Sequence, residues 1–278
     1  VVDEATAADD LVPCIRAILG LKRRYEEHHL GRADLAAILL LSQQRIEALE
    51  MDNECLRELS LTDPLTGLCN LRNFEQMLSQ EFRIAKRYGQ PASLLMLDVD
   101  HFTRVNNQFG HPCGDFVLRE LAGILHESVR ESDVVARLGG EEFAVLLPRA
   151  DREQALQLAE RIRLAVARET FSTFGNDIQL TVSIGSATWP RCPEISDPDM
   201  LLYFADQALL AAKNTGRDRT VSVSDMDFDV RRAMWKSYRH QSHTRPPLTD
   251  WPGKHERSSA DDIAAITHGL PHSRRGVG

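Results

Sequence analysis

The sequence predicts an α/β sandwich built on a mixed central β-sheet flanked by helices, preceded by a helical stalk, and three observations predict it. Between residues 61 and 223, short apolar runs with strand character alternate with segments of helical periodicity. Two of the strands are separated only by Gly139-Gly140-Glu141-Glu142, which makes them an antiparallel hairpin inside an otherwise crossover-connected order. Residues 1–60 carry helical spacing with no strand signal. The expected organisation is a helical N-terminal segment and stalk over 1–60, a globular domain over 61–223 and a disordered tail over 224–278.

The elements follow in order. Leu11, Ile15, Ile18, Leu19 and Leu21 form an apolar stripe that breaks near Gly31. In the next helix Leu35, Leu39, Ser42, Ile46, Leu49, Asn53 and Leu56 alternate spacings of four and three, the a/d seam of a short coiled coil. An amphipathic helix packed on its own domain has similar spacing; Asn53, a polar residue at an a position, suits a two-stranded seam held in register. Leu71 to Tyr88 reads as helix, and Ser93 to Val99 as a strand buried on both faces. Phe116 to Val129 is helical, with apolar positions at 117, 118, 121, 124 and 125. Val134 to Leu138 and Phe143 to Leu147 are the hairpin strands, and Arg152 to Arg168 is helical. Leu180 to Trp189 alternates as a strand, Met200 to Asn214 is a helix, and Thr220 to Val223 is a final edge strand. Beyond 224, Pro246-Pro247, Pro252-Gly253 and five of the ten histidines are scattered without periodicity, which predicts the solvated tail.

Composition narrows the function. A net charge of −8 lacks the basic stripe of a nucleic-acid binder, although a metal ion can supply the charge a nucleotide substrate needs. The longest apolar run, Leu35 to Leu41, is too short to cross a bilayer, so no membrane segment is expected. Five cysteines without a C-x-x-C pair argue against zinc or a disulfide framework and for a reducing, cytoplasmic location. The chain opens on Val rather than Met, which predicts a fragment of something longer.

Two acidic pairs carry the chemistry. Asp98 and Asp100 end the most apolar strand, and Glu141 and Glu142 occupy the hairpin turn. Carboxylates so placed repel one another unless a cation relieves them, and pairing of the two strands makes a hard oxygen site for Mg²⁺ or Mn²⁺. Gly139 and Gly140 permit the tight turn and clear space for a bulky ligand. After Asp100 a strand turns into a helix whose free N–H groups suit phosphates. Asn106 and Asp115 flank a glycine-rich turn, an amide and a carboxylate able to read guanine, while Lys213 and Arg217 offer two cations after a helix. No P-loop pattern is present.

Together L-T-D-P-L-T-G-L-C-N (61–70), D-V-D-H-F (98–102), N-N-Q-F-G-H-P-C-G-D (106–115), R-L-G-G-E-E-F (137–143) and A-K-N-T-G-R (212–217) resemble a GGDEF-type diguanylate cyclase in its GGEEF variant, over roughly residues 60–223. The resemblance implies a nucleotide-cyclase, palm-like domain joining two GTP into cyclic di-GMP with loss of two pyrophosphates. It implies that Asp98, the Val99 carbonyl and Glu141 hold two Mg²⁺ (or Mn²⁺) ions per half-site, with Glu142 in support and Glu141 as general base on the ribose 3′-OH. Asn106 and Asp115 would recognise guanine, Phe102 would line the substrate pocket, and Lys213 and Arg217 would hold phosphates. Each domain binds one GTP, so catalysis requires a homodimer, which the 35–56 seam would assemble. Arg130-Glu-Ser-Asp133, just before the hairpin, matches the family's R-x-x-D inhibitory site for cyclic di-GMP, with Arg161 as a secondary contact.

There are departures. Thr103 stands where the family usually has Lys, with Arg104 next to it but turned about 100° away on a helix. Leu71 replaces a usual Arg and Asp218 a common Asn. Thr103 therefore keeps open a second reading, a catalytically weak domain that senses GTP or cyclic di-GMP; an adenine-nucleotide cyclase is disfavoured by Asn106 and Asp115. Cys113, in the guanine loop, is either an oxidisable thiol or a buried inert one. The N-terminal zone weakly resembles the last helix of a response-regulator receiver domain; a short helical regulatory segment is the alternative.

Overall fold

The computed structural model describes residues 16–20, 22, 39–47, 61–173 and 175–241, and divides the chain into two units, Val1–Ser60 and Leu61–Gly278. In the first unit residues 16–20, 22 and 39–47 are helical, and Leu39 and Ile46 of the expected seam are exposed. The seam positions 35, 49, 53 and 56 lie outside the described residues. Among the described residues no helix is long and apolar enough to cross a membrane.

The second unit opens with β1 (Cys69–Asn70) and α1 (Leu71–Tyr88). Asn70 caps α1 by accepting from the Asn73 amide at 3.0 Å, and Gly89, at φ 64°, ends it. Next come β2 (Ala92–Val99), α2 (Phe102–Phe109), α3 (His111–Ser128), β3 (Val134–Gly139) and β4 (Glu142–Pro148). An Asp151–Gln154 capping box starts α4 (Arg152–Arg168), which a small hairpin of β5 (Phe171–Thr173) and β6 (Asn176–Ile178) follows. The unit is completed by β7 (Val182–Trp189), α5 (Pro198–Asn214), β8 (Thr220–Ser222), a 3₁₀ turn (Val223–Asp225) and α6 (Phe228–Gln241).

Six strands form one mixed sheet in the order β1-β3-β4-β2-β7-β8, with β1–β3 and β7–β8 parallel and the rest antiparallel. Every residue of the central strand β2 is buried, as its continuous apolar run predicts. Its side chains alternate between two cores. Leu95, Leu97 and Val99 pack with Val117, Leu121 and Ile162 of α3 and α4, while Leu94 and Met96 pack with Phe74, Phe204 and Met234 of α1, α5 and α6. Each such fully buried side chain contributes roughly 1.5–3 kcal/mol. The contact of α5 with β7 is unusually close: a Cβ at Gly185 would lie 2.1 Å from the Leu209 nitrogen and 2.2 Å from the Ala205 carbonyl oxygen.

The structure departs from the expected elements at the unforeseen edge strand β1 and in three further places. The helix expected after Asp100, given without bounds, is the separate α2 over 102–109, and α3 begins at His111 rather than Phe116 because Pro112 is well tolerated in a first turn. The β5–β6 hairpin is too short to leave a periodic signal. The expected tail from 224 is corrected over 224–241, where the 3₁₀ turn leads into α6, and Val230 and Met234 are buried in the second core with Trp235 and Tyr238 packed against it. Arg231 pairs with Glu194, and the Tyr238 hydroxyl donates to Asp197, the N-cap of α5. The rest of the expected tail lies outside the described residues.

Candidate active site

The β2–β4 register sets Asp98 directly opposite Glu142. Both belong to the face of the sheet that carries α5, and they are only 3% and 5% exposed. Like charges facing across a ladder destabilise it, so the sheet retains this pair at a cost that a cation offsets. The hairpin between β3 and β4 turns through Gly139 (φ 149°) and Gly140 (φ 54°), with a register shift between Arg137 and Gly139. This delivers Glu141, 7% exposed, to the end of β2, where its carbonyl accepts from the Val99 amide at 3.3 Å.

Sequence reasoning missed what braces this turn. Arg137 donates from Nε and Nη2 to the Gly140 carbonyl at 3.0 and 2.8 Å, and from Nη1 to both Asp63 carboxylate oxygens at 3.0 and 3.2 Å. Asp63 also accepts from the Thr66 amide and hydroxyl, so the L-T-D-P-L-T-G segment is tied to the β3–β4 hairpin. Burial alone would raise the Asp63 pKa, but the hydrogen bonds from Thr66 and Arg137 outweigh it and hold the carboxyl below its ordinary value.

Asp98, Val99, Phe102, Glu141, Lys213 and Arg217 all line one cavity of about 490 Å³, so six of the expected site residues converge. Lys213 Nζ stands 2.6 Å from Asp98 Oδ2, so this carboxylate already holds a cation. Thr103 and Arg104, both in the first turn of α2, line the same cavity, and Arg104 also borders a second one. No side chain caps α2, because its N-cap residue, His101, is in the left-handed region at φ 60°. Asp100 lines this cavity too, and its carboxylate accepts hydrogen bonds from Thr181, Ser183 and the Asp218 amide.

Asn106 and Asp115 are not among the cavity's lining residues. Asn106 instead packs on the bare α-carbon of Gly114, where a Cβ would lie 2.0 Å from its Oδ1, beside the exposed Asp115 at the α2–α3 corner. Cys113 is buried in the first core, the inert alternative. Arg130, Asp133 and Arg161 do come together, lining a separate cavity of about 190 Å³ with Gln154 and Gln157. There the Asp133 carboxylate accepts from the Arg130 amide at 2.9 Å, and Arg161 reaches the Ser128 carbonyl.

Among the described residues, no three His, Cys, Asp or Glu side chains gather closely enough to enclose a metal by themselves. The donors present, Asp98 and Glu141 on one cavity wall, fit an ion such as Mg²⁺, which takes one or two carboxylates and completes its shell with substrate phosphates and water.

Comparison with known proteins agrees with this geometry. Residues 60–219 match the family described as diguanylate cyclase, GGDEF domain. Diguanylate cyclase DgcP of Pseudomonas aeruginosa is 37% identical over 230 residues, covering 78% of this chain and 34% of that protein. The chain spans between 34% and 44% of the length of the curated relatives it matches first. Among solved structures, the GGDEF domain of DgcB from Caulobacter crescentus in complex with c-di-GMP superposes with a TM-score of 0.56 at 33% identity, covering 59% of this chain and 93% of that one. The active GGEEF domain of a diguanylate cyclase from Vibrio cholerae gives 0.52 at 33% identity, covering 56% and 97%. The chain belongs to the GGDEF family of diguanylate cyclase domains.

Proposed function

We propose that this domain condenses two GTP molecules into cyclic di-GMP and two pyrophosphates. The observation that carries the reading is the single cavity in which Asp98 and Glu141 face Lys213, Arg217 and Arg104, an arrangement of both charges suited to a metal-bound triphosphate. Members of this family need a divalent metal; two Mg²⁺ or Mn²⁺ ions per half-site are the proposed complement, held by Asp98, the Val99 carbonyl and Glu141 with Glu142 behind them. Bound there, the metal neutralises phosphate charge as a Lewis acid. The chain's own groups do the rest. Lys213, Arg217 and the uncapped N-terminus of α2 hold phosphate oxygens. Phe102 lines the pocket, while Asn106 and Asp115 read the guanine edge. Glu141 takes the proton of the ribose 3′-OH as that oxygen bonds to the α-phosphorus of the other GTP and pyrophosphate departs.

The second GTP comes from a facing copy of the chain, so the proposed enzyme is a homodimer, and the exposed Leu39 and Ile46 on a helix support a stalk that joins two copies. Arg130, Asp133 and Arg161 form the proposed inhibitory site for cyclic di-GMP, a guanidinium pair and a carboxylate around one cavity. Thr103 favours a second reading, a domain that binds GTP or cyclic di-GMP and signals to a partner without turnover. Chromatography of products from GTP and Mg²⁺ decides between them. Cyclic di-GMP is expected from the wild type, with at least 10²-fold less from Asp98→Ala and Glu141→Ala. Arg130→Ala is expected to remain active as product accumulates. GTP binding without product would establish the sensor reading instead.

A further inference from the structure

One residue past the end of α5 the chain runs Gly216-Arg217-Asp218 with φ of 124°, 59° and 44°, three successive residues at positive φ, two of them with side chains. Residues other than glycine enter this region rarely and stay only where their surroundings over-determine them. Two anchors do so here. The Asp218 main-chain N–H donates to Asp100 Oδ2 at 3.0 Å, and Asp100, 5% exposed, is itself fixed by the Thr181 and Ser183 hydroxyls at 2.7 Å each. The Asp218 carboxylate accepts from Arg163 Nη1 at 2.6 Å, and Arg163 is held on α4 by Glu160, 3.0 Å from both its Nε and its Nη2. The turn is therefore bolted through its main chain to the end of β2 and through its side chain to α4. Arg217 immediately precedes this doubly anchored residue, its own amide donates to the Ala212 carbonyl at 3.0 Å, and it lines the cavity that Asp98, Glu141 and Lys213 share.

The geometry points to Asp218 and Arg163 as positioning residues that hold Arg217 against the outer phosphates of the nucleotide. Neither Asp218 nor Arg163 lines that cavity, so both act through the turn. An ordinary surface ion pair would adjust stability slightly and leave ligand selectivity alone. A brace on a phosphate-binding arginine would instead separate triphosphate from monophosphate binding. This inference rests on the cyclase reading, because it assigns the cavity to a nucleoside triphosphate.

The test is calorimetric titration of the full chain, with Mg²⁺, by a non-hydrolysable GTP analogue and by GMP. Asp218→Gly is the informative variant, since glycine adopts the positive φ without strain while severing the pair to Arg163. It is expected to melt no lower than the wild type, yet to bind the triphosphate analogue roughly three- to tenfold more weakly, the scale of one charge-assisted contact, with GMP affinity unchanged. Arg163→Gln is expected to reproduce this loss, and the double variant to be no weaker than either single one. Variants that bind the analogue as tightly as the wild type, or that lose GMP and analogue equally, overturn the positioning role alone. A wild type that binds neither ligand overturns the cyclase reading together with it.

Discussion

Glu75, on α1, has a buried Oε1 and lies near Asp199 at the start of α5. Burial first, and then the Asp199 charge, push its pKa up to about 7, with Arg72 opposing them. Because the folded value exceeds the ordinary 4.5, the native state keeps a proton that the unfolded chain has released in the window between. Stability therefore falls as pH rises from about 4.5 to 7, and the penalty is complete above that. Glu75→Gln is expected to raise the melting temperature at pH 8 and to leave it nearly unchanged at pH 4; equal shifts at both values would refute the assignment. Not every such residue was legible in the sequence. Asp98, Glu141, Lys213 and Arg217 announce themselves because charged groups at strand and helix ends have no place in a core. Arg137 does not, because an arginine in a strand reads as a solvated face and its partner Asp63 is 74 positions away. Asp100 read as half of an acidic pair, and only the packing of β7 and the 216–218 turn shows that it also anchors that turn.

At the level of elements, long periodic segments were legible and short or sparsely apolar ones were not. The bounds of α1 and α4 coincide with their expected spans, since each carries its own cap and a full apolar stripe. By contrast, α6 has a low apolar density. Its core face is Val230, Met234, Trp235 and Tyr238, spaced four, one and three apart, a helical pattern masked by Arg231, Arg232 and Lys236 between them. This helix lies beyond the matched family region, which ends at residue 219, yet it closes the core over α5. Met234→Ala is expected to cost about 2 kcal/mol or more, as truncation of a buried side chain does. Urea denaturation followed by circular dichroism reads this as a lower midpoint at unchanged slope. A midpoint equal to that of the wild type would show that α6 contributes no packing energy.

For the whole molecule, the proposed reaction takes one GTP from each of two copies, and in that form it cannot proceed on a single domain. Turnover per chain is therefore expected to fall on dilution, and to fall at higher concentrations when Leu39→Asp and Ile46→Asp place like charges on the apolar stripe of the stalk. Specific activity that is constant across a hundredfold dilution, alongside a monomeric sedimentation profile, would exclude the dimeric mechanism. The general architecture was legible because β2 reads as buried on both faces and so requires a helical layer on each side. The strand order was not, since nothing local states that β2 lies between β4 and β7.

The glycine on β7 has a consequence for how the domain tolerates change. At Gly185 the backbone of α5 rests on the bare main chain of the sheet, with no side chain as spacer. The height of the helix above the sheet is thus referenced to covalent geometry, like a part seated on a machined datum, and not to the sizes of core residues that drift during evolution. Substitutions elsewhere in that layer can repack around α5 without lifting it. Lys213, in the last turn of that helix, inherits that fixed reference.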